Sequence, residues 1–207
     1  MPPRKGAPNR RGAARREQIL DAAVELFAQR GYRGTGLLEL ADRVGMTHAG
    51  ILHHFGTKEE LLRAVMARRD EMINRQAEEF EGQGIAGLRD IRDPFEPEIL
   101  TRLATVLRTE NLDPGEPLHD YFVEGNERVR ALIAGEIRRG QESGEVRTDV
   151  DPDVKAVEIL AFSIGIETQW LLEPDKIDRT TVFRSFLRSL LRDLSTPAAA
   201  EQRRAKA

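Results

Sequence analysis

The stretch from Leu38 to Leu62, LELADRVGMTHAGILHHFGTKEELL, constrains the fold more than any other part of this chain. It reads as two short helices around a tight turn, followed by the start of a third. Leu40, Ala41 and Val44 have the apolar spacing of a short helix. Gly45 stands where the turn needs a residue able to take positive φ. Met46 is a second apolar anchor, and Thr47 is placed to cap the next helix by offering its hydroxyl to orphan backbone N–H groups. Ile51 and Phe55, four residues apart, share one buried face. His48, Ala49, Leu52 and His53 are left facing outward: two small or flat side chains and two that hydrogen-bond. Such a face enters a major groove without a clash, and the arrangement is that of a helix-turn-helix.

The rest of the chain reads as helices, with no strand pattern and no internal repeat. From Arg15, the residues Ile19, Ala22, Ala23, Leu26 and Phe27 trace an amphipathic helix that Gly31 ends. Thr35 is the expected N-cap of the helix after it. Thr57-Lys58-Glu59-Glu60 has the form of a capping box, and the helix it opens runs to about Phe80. Pro94 and Pro97 open a further helix. Another runs from about Pro117 to Glu142, and one starts at Asp151-Pro152. That last helix carries apolar residues on nearly every side, from Val154 to Leu171, and so is expected to be buried all round. The final helix, about Arg179 to Leu194, holds a stripe of Val182, Phe183, Phe186, Leu187, Leu190 and Leu191.

Charge is divided along the chain. The net charge is −3, but the first 69 residues are net basic and the remainder is net acidic. The basic part is suited to approaching phosphates and the acidic part is not. Residues 1–13 read as a disordered basic arm, either a plain solvated tail or a non-specific phosphate or minor-groove contact. There is no cysteine, which suits a reducing compartment. No apolar run approaches the roughly 20 residues of a membrane span, and the N-terminus lacks the apolar core of a secretory signal, so a cytoplasmic protein is expected.

Three segments resemble the TetR family of bacterial transcription regulators: Gln18 to Ala23 with Leu26-Phe27, Gly31 to Thr35, and Ala41 to Leu61. Within the last, Ala41, Gly45, Met46, Thr47, His54, Phe55, Thr57, Lys58 and Glu59 match the family pattern. The departures are His48-Ala49 where the family usually has Lys-Gly, Leu52 where it often has Tyr, and Gly36 where a second Ser/Thr is usual. The resemblance implies an all-α protein in which an N-terminal three-helix helix-turn-helix domain precedes a larger C-terminal helical ligand-binding and dimerisation domain. It places the DNA-binding domain at 14–74, the second domain at 75–195 and a disordered tail at 196–207. It implies a homodimeric, ligand-responsive regulator, a repressor by family habit. Its partners would be a palindromic double-stranded DNA operator and an unidentified small-molecule effector, with no membrane.

The expected DNA-binding residues are Thr35, Thr47, His48, Ala49, Gly50, Leu52, His53 and Lys58, with Thr35 and Lys58 touching phosphates. The expected ligand-binding residues are His119, Phe122, Phe162 and Trp170, around an apolar or weakly polar ligand. No metal site is expected: His48, His53 and His54 lack the i, i+3 or i+4 spacing of helical ligands, and no cysteine accompanies them. No cofactor and no catalytic residue is expected either, since the paired carboxylates have no partner histidine or nucleophile. The competing class is a helical small-molecule-binding protein or enzyme whose helix-turn-helix is only structural.

Overall fold

The computed structural model describes residues 10–80, 95–197 and 199; at Arg10 and over 72–80 it describes the backbone alone. The described residues form helices α1 (Arg10–Gly34), α2 (Leu37–Arg43), α3 (His48–Phe55), α4 (Lys58–Phe80), α5 (Glu98–Glu110), α6 (His119–Glu142), α7 (Pro152–Leu172) and α8 (Arg179–Leu194). The one extended pairing among them is an isolated antiparallel bridge between Val146 and Ser195.

The chain divides into two compact units. The first comprises residues 1–72 with 97–119, and the second 73–96 with 120–207. In the first unit Ile19, Ala23, Leu26 and Phe27 of α1 are buried, as are Leu61, Leu62, Val65 and Met66 of α4. Helix α5, expected from sequence alone to lie within 75–195, belongs here instead and makes its main contact with α1. Its Leu103, Ala104 and Leu107 are fully buried. Periodicity marks those residues as a buried face, but it does not name the partner.

Caps and turns follow local chemistry. Gly31 has φ +72° and interrupts α1 where the sequence places a helix stop. Thr47 caps α3, its hydroxyl accepting the Gly50 N–H at 3.1 Å. The capping box of α4 is complete: the Glu60 N–H donates to Thr57 Oγ1 at 3.0 Å, and the Thr57 N–H donates to Glu60 Oε2 at 2.9 Å. Asp151 caps α7 through the N–H groups of Asp153 and Val154, and Asp178 caps α8 through that of Thr181.

Both expected disordered ends need correction. Helix α1 begins at Arg10, so residues 10–13 are helical: Arg and Ala extend the helix past Gly12 at little cost. The remaining residues 1–9 lie outside the described residues. At the other end, the Thr196 N–H donates to Glu145 O at 3.1 Å and its hydroxyl donates to Gly144 O at 3.0 Å. The chain after α8 is therefore tied to the α6–α7 connection as far as Thr196; Ala198 and residues 200–207 lie outside the described residues.

The second unit centres on Phe95, Ile137, Val146, Val150, Ile166, Phe183, Leu187, Leu190, Leu191 and Leu194. Helix α8 therefore turns most of its apolar stripe into its own core. Helix α7 does not meet the expectation of burial all round. Ala156 and Ile166 are its buried residues, while Val154, Val157 and Leu172 are 54%, 53% and 77% exposed. Among the described residues nothing covers that face.

Candidate nucleic-acid interface

Helix α3 rests on Ile51, which is fully buried, and Phe55, which is 7% exposed. Of the outward set the spacing indicates, His48, Ala49 and His53 are exposed, as is Thr47, while Leu52 is half-buried along with Gly50. Gly50 has a structural reason of its own. A β-carbon there would lie 3.1 Å from Met46 Cε and 3.3 Å from Thr47 Oγ1, crowding both the anchor and the cap. His54 is half-buried between the rings of His53 and Phe55. The Phe55 ring also carries the Arg16 guanidinium, 4.8 Å from its centroid, which brings the basic start of α1 to the base of α3. Arg11 and Arg15 are likewise exposed on those first turns.

Thr35 does not fit its expected role. It is 2% exposed, and its hydroxyl donates inward to Gly31 O at 2.8 Å and Leu26 O at 3.2 Å. The N-cap of α2 is Gly36, which has no side chain to cap with. Thr35 thus seals the α1–α2 turn, and its side chain has no route to a phosphate. A threonine before a helix signals a cap only when its hydroxyl faces the helix, and sequence does not reveal that.

Lys58, the first residue of α4, turns inward. Its Nζ lies 4.3 Å from the centroid of the Tyr32 ring. Burial lowers its pKa, and the nearby Glu110 carboxylate opposes that effect. The Tyr32 hydroxyl is pushed up, first by burial and then by Glu59. A cation at a helix N-terminus opposes the helix dipole, and here an aromatic face and a carboxylate offset that conflict within the chain. The involvement of Tyr32 and Glu110 was missed from sequence, since Glu110 lies 78 residues from its partner Tyr32.

The expected ligand residues do not form one group. His119 belongs to the first unit, with Nδ1 3.2 Å from Asn111 O. Phe122, in the second, is 7% exposed with Tyr121 edge-on to it. Phe162 stacks on Phe186, with centroids 3.8 Å apart, and joins the margin of the core. Trp170 lies under the Arg179 guanidinium, 3.9 Å from the ring; Arg179 also sits 4.6 Å over Phe95 and donates to Glu96 O at 3.0 Å. A hollow of about 410 Å³ between α7 and α8 is lined by Ala161, Phe162, Gly165, Ile166, Gln169, Ile177 and Val182. Of the four expected ligand residues, Phe162 alone lines it. Among the described residues no cluster of His, Asp or Glu has the form of a metal site, and no helix is long and apolar enough to cross a membrane.

Comparison with known proteins accounts for this arrangement. Residues 19–65 match the family model described as bacterial regulatory proteins, tetR family, and residues 116–196 match that of the BetI-type transcriptional repressor C-terminal domain. The HTH-type transcriptional repressor Rv1474c of Mycobacterium tuberculosis is 34% identical over 146 residues, covering 69% of this chain and 74% of that protein. The HTH-type transcriptional repressor KstR2 of Rhodococcus jostii is 25% identical over 198 residues, covering 89% and 93%. The crystal structure of a putative transcriptional regulator from Saccharomonospora viridis, solved in complex with choline, superposes with a TM-score of 0.73 at 24% identity, covering 89% of this chain and 99% of that one. With a capped α3 standing on a buried base inside the segment matched by the N-terminal model, the chain belongs to the tetR family of bacterial regulatory proteins and is a DNA-binding transcriptional regulator.

Proposed function

We propose that this regulator is a cytoplasmic, homodimeric repressor that leaves a palindromic operator when a small molecule binds its second unit. The observation that carries the DNA-reading part is helix α3. It holds a polar, uncluttered face, His48, Ala49 and His53, on a base of Ile51 and Phe55 that keeps the helix rigid. His48 and His53 are proposed to reach base edges. Thr47, Gly50 and Leu52 shape the surface that enters the groove, and the basic start of α1 supplies phosphate attraction. Lys58 is proposed to reach a phosphate once DNA competes for it.

The dimer is supported by the apolar face of α7, since Val154, Val157 and Leu172 are exposed and no described residue covers them. A two-fold dimer also pairs naturally with a palindromic site. The effector is proposed to bind in the α7–α8 hollow against Phe162, where Gln169 adjoins Trp170. The repressor names of the relatives and the choline held by the S. viridis regulator support repression and small-molecule sensing, and they do not name this chain's ligand. An effector that uses the face of Trp170 must displace Arg179, so the single tryptophan reports binding. Ligand and operator then antagonise each other by the same factor in either direction. Titrating small apolar molecules while following Trp170 fluorescence and operator release tests this. A ligand that quenches Trp170 yet leaves operator affinity unchanged refutes the sensing mechanism.

A further inference from the structure

Glu110, the last residue of α5, does more than end a helix. Its Oε2 accepts the Tyr32 N–H at 2.7 Å. The carboxylate packs so closely on Gly31 that a β-carbon there would overlap it, and Gly31 is also at φ +72°, so two requirements fix glycine at this turn. Directly after the turn, the Tyr32 ring carries the Lys58 ammonium. The other carboxylate near this ring, Glu59, is paired with Arg63 at 2.6 Å. Among the described residues no cation lies within ion-pair distance of Glu110. Its charge is therefore available to Lys58, and it raises the Lys58 pKa against the effect of burial.

We propose that Glu110 is a positioning residue whose charge, acting across the Tyr32 turn and beyond ion-pair distance, favours the inward Lys58 ammonium over Tyr32, so that a DNA phosphate must compete for that cation. It thereby lowers the affinity for all DNA alike. The proposal rests on the reading that the α3 unit binds DNA with the start of α4 beside the backbone. It predicts an effect of charge without an effect on sequence preference, because a lysine–phosphate contact carries no base information.

Glu110→Gln separates charge from structure, since its side-chain carbonyl still accepts the Tyr32 N–H. Binding of the full chain to a duplex of arbitrary sequence, followed by fluorescence anisotropy across a sodium chloride series, gives both affinity and salt slope. Glu110→Gln is expected to bind about 3–10-fold more tightly at low salt, with a slope steeper by up to about one unit, as for one added phosphate contact. Lys58→Met is expected to remove that gain, and to cost more in the Glu110→Gln background than in the wild type. Unchanged affinity and slope in Glu110→Gln overturns the proposal, and so does a gain that survives Lys58→Met. A wild-type chain with no salt-dependent duplex binding overturns the underlying reading and the proposal with it. An independent reading needs no variant: the Lys58 ε-methylene protons should be shifted upfield by the Tyr32 ring in the free protein and should lose that shift when duplex is added. A shift that persists with DNA bound overturns the competition.

Discussion

Helices α3 and α7 both leave one face uncovered, and the difference between those faces separates two kinds of partner. Helix α3 buries Ile51 and Phe55 and shows water two imidazoles, a methyl and a glycine turn. Beyond the Ala49 methyl and a half-buried Leu52, that face exposes little apolar surface, so it is stable alone and ready for a polar surface. Helix α7 buries Ala156 and Ile166 and shows water Val154, Val157 and Leu172. At about 25 cal/mol per Å² of apolar area, such a face gains by meeting another apolar surface. The first helix is finished by its own chain; the second is, on the proposed reading, finished by a copy.

The largest expected effect breaks the α7 side. Val157→Glu should leave the chain folded, because the site is open to water in one copy. It should dissociate the dimer, because an unpaired charge buried in an apolar interface costs several kcal/mol. Light scattering at low micromolar concentration should then give about the 23.3 kDa of one chain, against twice that for the wild type. A dimeric Val157→Glu variant would remove α7 from the interface. Next, Ile51→Ala should cost about 2–5 kcal/mol of stability in thermal or denaturant melts, because α3 depends on its own base. A negligible loss would mean that α3 is not held as described.

His48→Ala and His53→Ala should instead leave melting unchanged and weaken specific binding by about 1–3 kcal/mol wherever either reads a base edge. Unaltered affinity in both single variants and their double would take base reading away from this face. Smaller again, Thr47→Ala should cost about 1 kcal/mol of stability through loss of the α3 cap. Gly36→Ser should add only a few tenths by giving α2 the side-chain cap it lacks.

The same contrast explains what could be read from the chain. The Thr47 cap, the Gly45 turn at φ +63° and the Thr57–Glu60 box are local, closing within a few residues, and each stands as its spacing implies. Thr35 misled because its hydroxyl can either accept from the N–H groups that open α2 or donate back to α1, and in the folded turn it donates to Leu26 O and Gly31 O of α1. The placement of α5 against α1, the carboxylate of Glu110 on the Tyr32 N–H, and Arg179 over Trp170 are non-local pairings with no periodic signal. The apolar surround of α7 was legible as a pattern, but whether the cover comes from the same chain or from another copy is not encoded in that pattern.

The central claim is that α3 reads DNA and that two copies read it together. Selection of binding sites from a pool of random duplexes by the purified full chain tests both halves at once. The enriched sites should form an inverted repeat, and His48→Ala/His53→Ala should abolish the enrichment while leaving weak, salt-sensitive binding to every duplex. No enrichment by the wild-type chain, or a single unrepeated motif that the double variant selects equally well, would contradict it.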